Sequence, residues 1–189
     1  MQARNPKPFT PTLPDAGAVY KDRRVIDLGT IEPLVALPDA VVNNSVGIST
    51  VAGQKIDQAF IGACCNGTLD DIAVAARVVS GRKVAPDTRF IVTPSTEAIH
   101  RAALAAGYVT TLMEAGAVVT PATCGACIGG HMGVLGPDEV CITASTRNFK
   151  GRMGDPSARI YMASPATVAA SALAGQIASA AAFFEGDLL

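Results

Sequence analysis

From about residue 24 onward, short β-like runs alternate with segments of helical spacing, and few sheet topologies accommodate that order. Apolar and β-branched runs at 24–28, 59–63, 89–93, 117–119, 140–144 and 159–163 read as strands. Residues 69–79, 96–106, 108–115 and 166–178 carry apolar residues at helical spacing. Strands joined through helices pair in parallel, so the pattern predicts a mostly parallel α/β sheet flanked by helices on both faces, a three-layer α/β/α arrangement. Sites in such sheets gather at the carboxyl ends of the strands. Two junctions carry helix-start chemistry: Thr68-x-x-Asp71 is a capping box, and Ser164-Pro165 supplies an N-cap followed by proline at the first helical position.

Residues 1–23 are proline-rich and aperiodic and read as an extended arm, with one domain over 24–189. A 189-residue chain with 49% hydrophobic residues can bury a substantial core. A net charge of −1 without any Lys/Arg run argues against a protein devoted to nucleic acid or an anionic membrane surface. No cleavable export signal opens the sequence, and a cytoplasmic location is expected. Residues 161–184 are apolar but rich in Ala and Ser, with Pro165 and Gln176 among them, so a buried helix is favoured over a membrane span.

Five cysteines beside glycines suit a reducing compartment and a metal or redox site better than disulfides. Cys124-x-x-Cys127 alone is shared by zinc sites, thiol-disulfide oxidoreductases and iron-sulfur proteins. Cys64, in the glycine-flanked turn Gly62-Ala63-Cys64-Cys65-Asn66-Gly67, adds a third thiol. Three thiolates holding an iron-sulfur cube leave one iron open. A structural zinc site wants a fourth ligand, for which Cys65, Cys141 or His131 are available, whereas a dithiol site needs no third cysteine. Cys141 sits in an apolar strand pattern and reads as core. Only one of the adjacent pair Cys64 and Cys65 is expected to face a cluster. The positive end of the following helix is expected to lower the Cys64 pKa.

The loop Ser145-Thr146-Arg147-Asn148-Phe149-Lys150-Gly151-Arg152 places two arginines five apart, and guanidinium forks match carboxylates. Composition alone reads it as a solvated basic loop. His100 reads as a helix-surface residue, and His131, just after Gly129-Gly130, as a residue near the thiolates.

The motifs at 62–67, 124–129, 145–152 and Ala163-Ser164-Pro165-Ala166 follow the order and spacing of the aconitase family, and the chain resembles its isopropylmalate-isomerising branch from about residue 27 to 177. That resemblance implies a 4Fe-4S cluster on Cys64, Cys124 and Cys127, with an open iron for dehydrating and rehydrating a 2-hydroxy di- or tricarboxylic acid. It implies that Arg147 and Arg152 bind substrate carboxylates, and that Asn66 organises the cluster loop or meets substrate through its amide. It further implies a hydro-lyase of leucine biosynthesis that is incomplete as this chain. The N-terminal part of the large subunit and a small-subunit swivel domain are the expected partner chains, with no nucleic acid and no membrane. Homoaconitate or citrate chemistry, a non-catalytic or RNA-binding iron-sulfur domain, and a dithiol oxidoreductase are the alternatives. Three positions depart from the family pattern: Ala63, where the family commonly has Ser, Cys65, where it has Thr, and Thr146, where it has Asn.

Overall fold

The computed structural model describes residues 7–40 and 43–183. Residues 1–6 of the expected arm lie outside that range. The chain divides into two compact units, Met1–Ile31 and Glu32–Leu189.

In the first unit the described residues hold a single 3-10 turn, Leu28–Thr30, capped by Asp27, whose Oδ1 accepts from Gly29 N at 2.9 Å. The strand expected over 24–28 is absent there, and Val25 and Ile26 are exposed. The Asp27 carboxylate satisfies the Gly29 N–H instead, and such a local bond competes with ladder formation.

The second unit is built on a seven-stranded sheet: β1 (Leu34–Ala36), β2 (Ser45–Gly47), β3 (Gln58–Gly62), β4 (Arg89–Thr93), β5 (Val118–Val119), β6 (Val140–Thr143) and β7 (Arg159–Met162), in the order β2-β1-β7-β6-β3-β4-β5. Strands β3 to β7 pair in parallel, as the alternation predicts, and an antiparallel β1–β2 hairpin caps one edge against β7. Among the described residues, α1 (Ala63–Asn66) and α2 (Leu69–Val79) lie between β3 and β4, α3 (Glu97–Ala105) and α4 (Tyr108–Ala115) between β4 and β5, and α5 (Pro165–Ala174) follows β7. Helix α5 stops short of residue 178 because Gly175, at φ 67°, turns the chain left-handed. Among the described residues no helix is long and apolar enough to cross a membrane.

Strand alternation divides the core in two. Ala59, Ile61, Phe90, Val92, Val140 and Ile142 pack with α2, α4 and α5, where Ala75, Ala76, Ala169 and Ala172 let helices and sheet approach closely. Phe60, Ile91, Cys141 and Ile160 point the other way, onto Ala63 of α1, Ala126 of a 3-10 turn at Gly125–Ile128, and loop residues Leu135, Met153 and Ala158. Long helices therefore cover one face, while short helical turns and loops close the other. Each fully buried large side chain, Phe60 or Ile61 for instance, contributes roughly 1.5–3 kcal/mol of transfer free energy.

Strand β3 lies between β4 and β6, so the chain order turns back at the β3–β6 boundary. The carboxyl ends on either side of such a reversal leave a crevice between diverging loops. The loop after β3 carries Cys64, and the loop after β6 carries Arg147 and Arg152.

Candidate functional site

Strand β3 ends in a sharp elbow. Gly62 has φ 150°, and a Cβ there would lie 2.9 Å from Thr93 N, so only glycine lets β3 pass β4 so closely. Ala63 follows at φ 58°, a left-handed conformation that costs a non-glycine residue roughly 1–2 kcal/mol. The elbow sends Cys64 and Cys65 out of the sheet, and both are exposed. Thr68 then caps α2, accepting from Asp71 N while the Asp71 carboxylate accepts from Thr68 N at 3.0 Å. Asn66 does not reach the cavity wall. Its Nδ2 donates to the carbonyl of Ala144, which ties the β3 loop to the end of β6.

The second loop starts after β5. Thr93 and Thr120 hydroxyls pair at 2.8 Å in the core, and the chain then enters the 3-10 turn in which Cys127 N donates to Cys124 O at 3.1 Å. Gly129, at φ 66°, ends the turn, and a Cβ there would lie 2.7 Å from Gly154 N. Backbone therefore meets backbone, and the cysteine turn is seated against the Arg152 loop.

That third loop is pinned by buried Asn148, whose Nδ2 donates to Leu37 O at 2.5 Å and Ile160 O at 3.2 Å. Anchored there, Arg147 stands exposed and Arg152 half-buried over the Phe149 ring at 5.7 Å. Arg152 Nη2 donates to Cys127 Sγ at 3.3 Å.

Cys64, Cys65, Cys124 and Cys127 line one cavity of about 90 Å³, with Arg147 and Arg152 also in its wall. A larger cleft of about 510 Å³ lies between α2 and α4, lined by Arg77, Arg82 and Tyr108, and it holds no thiol. The four cysteines and both loop arginines line the smaller one. Its lining includes two buried polar atoms with no partner among the described residues, Ser145 Oγ and Arg152 Nε. Such orphans in a wall indicate that the wall is built around something polar. No Asp, Glu or His is among the described residues that line it.

Charge placement differs from expectation at one position. The Cys64 thiol is pushed up, not down, because Cys65 Sγ at 3.6 Å shares its proton and repels a second thiolate. Cys65 is held below the usual thiol range by the Thr146 hydroxyl, 3.6 Å away, and by Cys64, with Arg147 adding a smaller attraction. Cys64 sits in α1, a separate turn before α2, so the α2 dipole does not dominate it. Cys141 is fully buried between sheet and loops, and burial pushes its thiol up to about 12. His131 is exposed and outside the cavity wall, and His100 lies 3.8 Å from Glu97 on α3. Ser145 was not legible as a site residue: a lone serine at a strand end carries no pattern of its own.

The model of the aconitase family (aconitate hydratase) matches residues 40–175 of this chain. The 3-isopropylmalate dehydratase large subunit of Mycolicibacterium smegmatis is 55% identical over 172 residues, covering 91% of this chain and 41% of that protein. That of Pyrobaculum arsenaticum is 49% identical over 170 residues, 90% of this chain and 40% of that protein, and that of Pyrobaculum aerophilum 47% identical over 178 residues. The chain spans about two fifths of the length of the curated relatives it matches.

Proposed function

The chain belongs to the aconitase family, and from that premise we propose that it is the cluster-bearing part of a 4Fe-4S hydro-lyase that isomerises a 2-hydroxy di- or tricarboxylic acid. The substrate that fits its relatives' names is 2-isopropylmalate, converted to 3-isopropylmalate in leucine biosynthesis. We place this reaction in the cytoplasm, where thiols stay reduced. The observation that carries the reading is the convergence of Cys64, Cys124 and Cys127 with Arg147 and Arg152 on one cavity.

The residues fit such a group. Cys64, Cys124 and Cys127, from two loops, share a wall with the unpartnered Ser145 Oγ and Arg152 Nε, and thiols are the donors that iron-sulfur clusters take. When bound, the cluster supplies a Lewis-acidic iron that makes hydroxide a tolerable leaving group. The protein's own part is positioning. Arg152, with its unpartnered Nε, and Arg147, also in the wall, offer guanidinium forks to the substrate carboxylates and orient them. Asn66 serves by locking the Cys64 loop to β6.

Elimination and re-addition of water also move protons, and the described cavity wall offers no carboxylate or imidazole for that work. The remaining part of the large subunit and a small-subunit chain supply it in this proposal. Anaerobically reconstituted chain is expected to show no 2-isopropylmalate turnover alone and to gain it when both partners are added. Turnover by the chain alone would contradict the division of labour, and none in the full mixture would contradict the reaction.

A further inference from the structure

A continuous line of short contacts runs from one thiol loop to the arginine loop. Cys64 Sγ lies 3.6 Å from Cys65 Sγ, Cys65 Sγ lies 3.6 Å from Thr146 Oγ1, and Arg147 Nη1 donates to Thr146 Oγ1 at 3.4 Å. The Thr146 hydroxyl has one proton and two lone pairs, so it can accept from Arg147 while donating to the Cys65 sulfur. Both partners are then used in one orientation of the hydroxyl. Arg147 is otherwise exposed, on a long side chain with many rotamers. Thr146 and Arg147 are neighbours in sequence, but Cys65 comes from the far side of the β3–β6 boundary. Two of the three places where this chain departs from the family pattern, 65 and 146, are thus in contact.

We propose that Cys65 and Thr146 form a strut between the β3 and β6 loops in which Thr146 is the positioning residue that holds the Arg147 guanidinium over the cavity, with Cys65 steadying Thr146. Cys65 is then a non-ligand thiol with a role of its own. The part concerning substrate carboxylates rests on the function proposed above, whereas the strut itself does not.

The strut is tested first on the metal-free chain, by the heteronuclear NOE of the Arg147 Nε–H in wild type, Thr146→Val, Thr146→Ser and Cys65→Ala. Position 146 is exposed, so these variants leave the core intact. An ordered signal in wild type and Thr146→Ser, lost in Thr146→Val and weakened in Cys65→Ala, is the expected result. A Thr146→Val signal as ordered as wild type, or a Thr146→Ser signal as mobile as Thr146→Val, would overturn the strut, and an unchanged Cys65→Ala signal would overturn the part given to Cys65. After iron-sulfide reconstitution, Thr146→Val should bind L-malate about two- to tenfold more weakly than wild type at equal iron content. Equal affinity would overturn the positioning role. If wild type takes up no cluster, the proposed function fails while the NOE comparison still decides the strut.

Discussion

Arg152 holds Cys127: its Nη2 donates to the Cys127 sulfur at 3.3 Å, while its Nε is buried without a partner among the described residues. One side chain thus joins the second thiol loop to the arginine loop and still has a donor to offer. Replacing it by lysine keeps the charge but removes the fork. In reconstituted chain, Arg152→Lys is expected to weaken L-malate binding about tenfold or more, the scale of a charge-assisted hydrogen bond. Calorimetric titration of both proteins at matched cluster content measures this.

Four of the five cysteines should separate cleanly by reactivity. Cys64, Cys65 and Cys124 are exposed, whereas Cys141 is fully buried with its thiol pushed up to about 12. At pH 8 a neutral alkylating reagent on the native metal-free chain should label the first three and leave Cys141 untouched until the chain unfolds. Peptide mass spectrometry reads the sites directly, and labelling of native Cys141 would contradict the packing between sheet and loops.

A bidentate pair bridges β4 to the turn before β6, with Arg89 Nη1 and Nη2 donating to Glu139 at 2.8 and 2.6 Å and Arg89 Nε donating to Gln58 at 3.0 Å. The side chains are 46% and 25% exposed, so solvent screens the pair, and Glu139→Gln should cost only about 0.5–1 kcal/mol at pH 7. The Arg89 hydrogen bonds hold the Glu139 carboxyl below its ordinary 4.5. A depressed folded pKa means that this stabilisation is present above pH 4.5 and fades as pH falls below it through the folded value. Urea unfolding of wild type and Glu139→Gln should show their difference shrinking over that acidic range.

Gly129 lets the cysteine turn rest on the Arg152 loop, and Gly129→Ala brings both a left-handed non-glycine residue and a contact with Gly154 N at 2.7 Å. The conformational part alone costs roughly 1–2 kcal/mol. Because the contact is with backbone, the cysteine turn must shift, so cluster uptake should fall together with stability. Chemical denaturation and iron content on the same preparation check this, and full iron content with unchanged stability would contradict the close seating of the two loops.

What the sequence made legible was whatever has a period or a chemical signature. The runs at 59–63, 89–93, 140–144 and 159–163 became β3, β4, β6 and β7 within a residue or two, and the Thr68 and Ser164 caps start α2 and α5. The β1–β2 hairpin escaped because its strands are three residues each beside Pro33 and Pro38, too short to show alternation. Residues 24–28 misled because Val25 and Ile26 look like a strand yet are exposed and lie outside any strand. The thiols and arginines announced themselves by residue type. The contacts among Cys65, Thr146 and Arg147, and the use of Asn66 on the Ala144 carbonyl, depend on two loops meeting at the β3–β6 boundary, which no local pattern encodes.

Anaerobic iron-sulfide reconstitution of wild type and Cys64→Ala, followed by iron and acid-labile sulfide counts per chain, tests the central claim most directly. A cube held by Cys64, Cys124 and Cys127 predicts about four irons and four sulfides in wild type, with loss of the cube in Cys64→Ala. No cluster in wild type, uptake of zinc alone, or an unchanged cluster in Cys64→Ala would contradict it.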